Sequence, residues 1–154
     1  MHHGYENPDG QGTRAIRDRA ILALGLAAAL RRSELVALEW RDVELVAKGL
    51  KLTLRHSKTD QEGEGQVIAV PAGKVLRPVE QLRAWLAVRG GDAGPLFYQI
   101  DPQGRLTDQP MSDRSIARLI QKYAGLVGLD PESVGGHSLR AGFLTEASRT
   151  GATI

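Results

Sequence analysis

A chain of 154 residues with 42% hydrophobic and 25% charged side chains has the balance of one compact domain, which sets aside fibres and long disordered tails. The absence of cysteine excludes disulfides and thiolate metal sites and is compatible with a cytoplasmic setting. The net charge is only +2, but the sequence pI near 9.1 and the dominance of arginine among the basic residues permit an anionic partner.

Residues 1–13 are polar and glycine-rich and are expected to form a flexible lead-in. Residues 14–30 carry Ile16, Ala20, Leu24 and Ala27 or Ala28 at helical spacing, with Arg14, Arg17, Asp18 and Arg19 in the first half. The apolar run over 20–30 is too short to span a bilayer, so no membrane segment is expected. In Leu30-Arg31-Arg32-Ser33-Glu34-Leu35-Val36-Ala37-Leu38, Ser33 is expected to cap a second short helix. Glu34 then suits the positive end of its dipole, and Leu35 and Leu38 supply its apolar side. Arg31 stands at the junction of the two helices, a position from which a side chain can be held and aimed.

From Val43 the period changes to two. Leu50, Leu52 and Leu54 alternate with Lys51, Thr53 and Arg55, the pattern of a strand with one buried face. Lys48-Gly49 reads as a tight turn from a strand over 43–46, and a polar loop over 57–65 leads to a third strand over 66–70. A small three-stranded antiparallel sheet is the expected result. Lys58 lies at the start of that loop, where a hairpin can carry an ammonium group to a ligand. His56 reads as a strand-end residue, because no second histidine or carboxylate pair stands at metal-ligand spacing.

Val75, Leu76, Val79, Leu82 and Leu86 predict an amphipathic helix over 73–88, with Pro78 tolerated near its start. Leu96-Phe97-Tyr98 is a short extended piece, followed by a polar turn through Asp101-Pro102-Gln103-Gly104. Ser112 or Asp113 can cap the next helix, whose buried face is Ile116, Leu119, Ile120, Tyr123 and Val127 and whose end is Gly128. Its polar face carries Arg114, Arg118 and Lys122.

A last helix is expected from His137, with Leu139, Phe143 and Ala147 inward. His137 and Arg140 are three residues apart, nearly one turn, so imidazole and guanidinium can project from the same face. An imidazole moves a proton, and a guanidinium offers a planar fork of donors that fits a phosphate. The pair suits chemistry on a phosphodiester.

Three motifs now stand in one order: an arginine between two helices, a hairpin lysine, and a histidine-arginine pair. The segment from Leu30 to Leu38 resembles the first box of the tyrosine recombinases, the phage integrase family, and Gly136-His137-Ser138-Leu139-Arg140-Ala141-Gly142 resembles the second. The resemblance covers residues 14–154 and implies an α+β fold, mainly helical with the three-stranded sheet, as an incomplete catalytic domain without its C-terminal helices. It implies site-specific recombination of double-stranded DNA: a tyrosine attacks a phosphodiester, forms a 3′-phosphotyrosyl link and frees a 5′-hydroxyl. Arg31 and Arg140 correspond to the arginines that hold the non-bridging oxygens, and Lys58 to the general acid. His137 corresponds to the group that manages the other proton or hydrogen-bonds the phosphate, and Glu34 supports Arg31. No nucleotide cofactor and no obligatory metal are implied. The intact parent is expected to act as a homo-tetramer on DNA, and this chain alone to be a monomer.

Tyr5, Tyr98 and Tyr123 all precede His137, and none stands in the nucleophile's place, so residues 1–154 alone are expected to be inactive in cleavage. The alternative readings are a non-catalytic DNA-binding module with the same fold, which keeps salt-sensitive DNA affinity, and a helical protein-interaction domain, which does not.

Overall fold

In the computed structural model, residues 12–55 and 65–126 are described. Helix α1 spans Thr13–Ala28 and α2 spans Arg32–Ala37, followed by a single 3-10 turn at Trp40–Asp42. Strands β1 (Val43–Val46), β2 (Gly49–Leu54) and β3 (Gln66–Pro71) form one sheet, and α3 (Pro78–Arg89) follows. A hairpin of β4 (Tyr98–Ile100) and β5 (Leu106–Pro110) leads into α4 (Asp113–Leu126).

The three-stranded antiparallel sheet expected from the alternating leucines is present, in the order β1-β2-β3. Its register pairs Val43 with Leu52 and Val46 with Gly49 on one side, and Gly49 with Pro71 and Leu54 with Gln66 on the other. Leu50 and Leu52 point into the core, as the period of two requires. Gly49 has a steric reason: a Cβ there would run into the carbonyl oxygen of Val70. The core joins these leucines to Ile21 and Leu24 of α1 and to Leu82 and Trp85 of α3. Trp85 stacks on Phe97 with ring centroids 6.2 Å apart, and its indole N–H donates to the Leu96 carbonyl at 2.8 Å.

Several boundaries differ from the sequence expectation. Ser33 does not cap α2; it lies inside the helix, and the N-cap is Arg31. The cause is upstream. Ala29 closes α1 in the left-handed region at φ 56°, its N–H and that of Leu30 both donate to the Gly25 carbonyl, and Leu30 is fully buried. The chain therefore leaves the turn already extended at Arg31 (φ −82°, ψ 160°), one residue before the helix.

Helix α3 starts at Pro78 rather than at residue 73. Gly73 and Arg77 have positive φ, which cannot continue a right-handed helix, and proline is well placed at the first helical position. Val75, expected on the buried face, is exposed. The extended piece at 96–98 and the polar turn after it are parts of one hairpin, whose return strand β5 was not expected because its outward residues are polar. Helix α4 does begin after Ser112: the Ser115 N–H donates to the Ser112 hydroxyl at 3.1 Å and the Ser112 N–H to that of Ser115 at 2.8 Å. Its face of Ile116, Leu119 and Ile120 is buried, Tyr123 is half-buried, and Val127 and Gly128 lie outside the described residues.

Candidate phosphodiester site

Of the expected site residues, Arg31 and Glu34 are described, whereas Lys58, His137 and Arg140 lie outside the described residues.

Arg31 is held by its backbone, not by its side chain. Leu30 before it and Leu35 after it are buried in the core. Its N–H donates to the Glu34 carboxylate at 2.7 Å, and its carbonyl accepts the Leu35 N–H at 3.0 Å. Glu34 thus occupies the third position of α2 and reaches back to the N-cap, half of a capping box. The other half is missing because a guanidinium has no acceptor. The Arg31 side chain is exposed and makes no hydrogen bond or ion pair among the described residues. A cation on a fixed backbone, with its donors unused among the described residues, is suited to an oxyanion that arrives from outside.

Beside this helix runs a groove of about 260 Å³, whose lining includes Glu34, Leu38, Asp42, Thr53, Leu54 and Arg55. One nitrogen of Arg55, Nη2, lies 3.0 Å from Asp42 and 3.2 Å from Glu39. Glu39 also meets Arg41 Nε at 3.0 Å. Burial pushes the Asp42 carboxyl above the usual carboxylate range, opposed by the Glu39 N–H that it accepts at 2.9 Å and reinforced by the Glu39 carboxylate. The segment carrying these acids is tied to the body of the fold: Trp40 N–H donates to Gly94 and Leu96 N–H to Leu38, each at 2.9 Å. Sequence reasoning passed over this cluster, because Arg55 stands 13 residues beyond Asp42 and joins the charges of the 39–42 stretch only in the folded chain.

Two further buried arrangements were not foreseen. Arg89, at the end of α3, is buried without a carboxylate ion pair among the described residues and donates to the carbonyls of Gly90, Asp92, Pro95 and Leu96 at 2.6–3.2 Å. Its guanidinium also lies 5.0 Å above the Tyr98 ring. On α1, Arg17 donates to Asp18 at 2.8 Å, and the other oxygen of Asp18 accepts the Tyr123 hydroxyl at 3.0 Å. Tyr98 and Tyr123 are thus both engaged within the fold. On α4, Arg114, Arg118 and Lys122 are exposed as expected. Among the described residues no group of three acidic or histidine side chains is placed to hold a metal ion, and no helix is long and apolar enough to cross a membrane.

Comparison with known proteins bears on the family of the chain. The model of the phage integrase family matches residues 5–154. The chain belongs to the phage integrase family. An integrase/recombinase xerD homolog of Selenomonas ruminantium is 38% identical over 143 residues, covering 92% of this chain and 42% of that protein. The tyrosine recombinase XerD of Xanthomonas axonopodis pv. citri (strain 306) is 33% identical over 150 residues, covering 96% of this chain and 47% of its own length. This integrase-family chain therefore spans less than half the length of these curated relatives. The crystal structure of XerA recombinase superposes with a TM-score of 0.56 at 19% identity, over 99% of this chain and 53% of that one, which shows the α+β integrase-type fold.

Proposed function

We propose that this chain is catalytic-domain sequence of a site-specific recombinase that breaks and rejoins DNA through a 3′-phosphotyrosyl intermediate. The observation that carries the reading is Arg31: an exposed guanidinium without a partner among the described residues, on a backbone pinned by Glu34, Leu30 and Leu35, in the family's first box. As the nucleophile's oxygen bonds to phosphorus, charge accumulates on the non-bridging oxygens, and Arg31 and Arg140 stabilise that increase. The bond from phosphorus to the 5′-oxygen breaks, and Lys58 protonates the leaving oxygen. His137 receives the proton released by the nucleophile. Glu34 holds the Arg31 backbone rather than touching DNA.

The nucleophile is neither Tyr98 nor Tyr123, whose side chains are committed to Arg89 and to Asp18. Residues 1–154 taken alone are expected to bind duplex DNA as a monomer without cutting it, and the tetramer belongs to the recombining complex on DNA. The exposed row of Arg114, Arg118 and Lys122 supplies further phosphate contacts.

The test is formation of a covalent protein–DNA complex by the full-length gene product on a nicked recombination site, beside Arg31→Ala. The variant should lose roughly 100-fold or more in cleavage rate, the scale of one transition-state donor, while its unfolding free energy stays within about 0.5 kcal/mol, as for a surface change. A wild-type protein that forms no covalent complex, or an Arg31→Ala variant that cuts as fast as wild type, would sink the proposal.

A further inference from the structure

Helix α2 has only six residues, too few to be stable alone, so its place is set by what anchors its two ends. The entry is held by the buried Leu30. The exit is held by a loop from a distant part of the chain. The Leu96 N–H donates to the Leu38 carbonyl and the Trp40 N–H to the Gly94 carbonyl, each at 2.9 Å, with Glu39 opposite Pro95 in an antiparallel bridge. That loop is itself built around Arg89. Nη1 donates to the carbonyls of Gly90 at 2.8 Å and Asp92 at 2.7 Å, Nη2 to that of Pro95 at 2.6 Å, and Nε to those of Pro95 at 3.0 Å and Leu96 at 3.2 Å. Residues 90–95 lie outside every helix and strand and include Gly90, Gly91 and Gly94, so the guanidinium is the template that gives them one shape. With all three nitrogens engaged and the residue buried, Arg89 is no contact for DNA.

We infer that Arg89 is a positioning residue: by shaping the 90–96 loop it fixes the exit of α2 and so governs where Arg31 presents its guanidinium. The inference rests on the proposed role of Arg31 at the phosphate. Every link between the two arginines is a hydrogen bond. The path runs from Arg89 Nε to the Leu96 carbonyl and from the Leu96 N–H to the Leu38 carbonyl. It continues from the Leu38 N–H to the Leu35 carbonyl at 3.4 Å and from the Leu35 N–H to the Arg31 carbonyl at 3.0 Å. Buried carbonyls that lose their donor cost free energy until the loop moves to find another, and the movement reaches α2 along this path. A misplacement of about 1 Å at a reacting group is enough to slow a step about 100-fold. Lysine cannot stand in for Arg89, because a compact ammonium with three donors lacks the planar fork that spans the carbonyls from Gly90 to Leu96.

The experiment is a double-mutant cycle, read as single-turnover cleavage of a nicked recombination site by the full-length gene product at saturating protein. Arg89→Lys should cleave roughly 10- to 100-fold more slowly than wild type. In the Arg31→Ala background the same substitution should change the rate by less than about twofold, because the group through which it acts is gone. A purely structural loss would slow both backgrounds by the same factor. If Arg31→Ala cleaves as fast as wild type, the reading of Arg31 has failed and the inference falls with it. If Arg31→Ala is slow but Arg89→Lys slows both backgrounds equally, or slows neither, Arg89 does not act through Arg31 and only the inference is overturned. Should Arg89→Lys not fold, Gly94→Ala carries the same cycle. A Cβ there lies 3.0 Å from the Tyr98 hydroxyl on a backbone at φ 125°, so it disturbs the same loop. Its effect should likewise vanish without Arg31, and an effect independent of Arg31, or none in either background, overturns the inference.

Discussion

Arg31 shows how an exposed side chain can be presented from a fixed backbone without contacts of its own among the described residues. The residue that creates this geometry is Ala29, in the left-handed region at φ 56°, where most side chains are disfavoured by about 1–2 kcal/mol. Glycine removes that penalty, although its freer unfolded state returns part of the gain. Ala29→Gly is therefore expected to raise the unfolding free energy by about 0.5–1 kcal/mol, measured by urea denaturation. It should leave DNA affinity unchanged, since the Leu30 anchor and the Glu34 bond to Arg31 remain. A drop in stability would mean that the turn is set by something other than this residue.

At the scale of elements, the β4-β5 hairpin illustrates a turn fixed by one carboxylate. Asp101 accepts the N–H groups of Gln103 at 2.9 Å and Arg105 at 2.8 Å, and Arg105 Nε at 3.0 Å. Its carboxyl is held below the usual range, chiefly by the Arg105 N–H, so the folded state favours the ionised form. The contribution to stability is present above the ordinary aspartate value of about 3.9 and is lost as pH falls through the lower folded value. Amide exchange at Gly104, whose N–H closes the turn onto the Asp101 carbonyl at 2.9 Å, should quicken as pH falls through that window beyond its intrinsic pH dependence. Asp101→Asn should exchange faster at neutral pH and lose the acid-dependent component. Equal behaviour of variant and wild type would remove the carboxylate from the account.

For the molecule as a whole, the contact between α4 and α1 is a polar one inside an apolar core. Tyr123 reaches across to Asp18, which Arg17 already neutralises, and Arg17 Nη1 continues to the Tyr98 carbonyl of the hairpin at 3.2 Å. Three elements distant in sequence are joined by groups that must all be satisfied, because a buried carboxylate left short of donors is costly. Burial, and then the Asp18 carboxylate, raise the Tyr123 hydroxyl above its ordinary value of 10.0. The stability it contributes is complete below that value and disappears as pH rises through the raised one. Tyr123→Phe should cost about 1–2 kcal/mol at neutral pH and abolish the added alkaline sensitivity that sets in above the ordinary tyrosine value. Urea unfolding of both proteins at neutral and alkaline pH measures this, and a neutral-pH cost near zero would show that the hydroxyl carries no net stability.

What could be read from the chain was whatever depends on neighbours in sequence. The leucine alternation at 50, 52 and 54 dictates a one-faced strand, the spacing of Ile116, Leu119 and Ile120 dictates a one-faced helix, and the box around Arg31 marks the family without any coordinates. These signals are local because a strand or helix repeats every two or three to four residues. The tertiary structure alone decided the rest. It placed Arg31 at the N-cap in place of Ser33, because burial of Leu30 sets where the chain turns. It made a hairpin of a polar stretch, because the Asp101 bonds close it. It also gathered Arg55, Asp42 and Glu39 into one cluster, since charges from separate elements meet only when the sheet packs beside the helix.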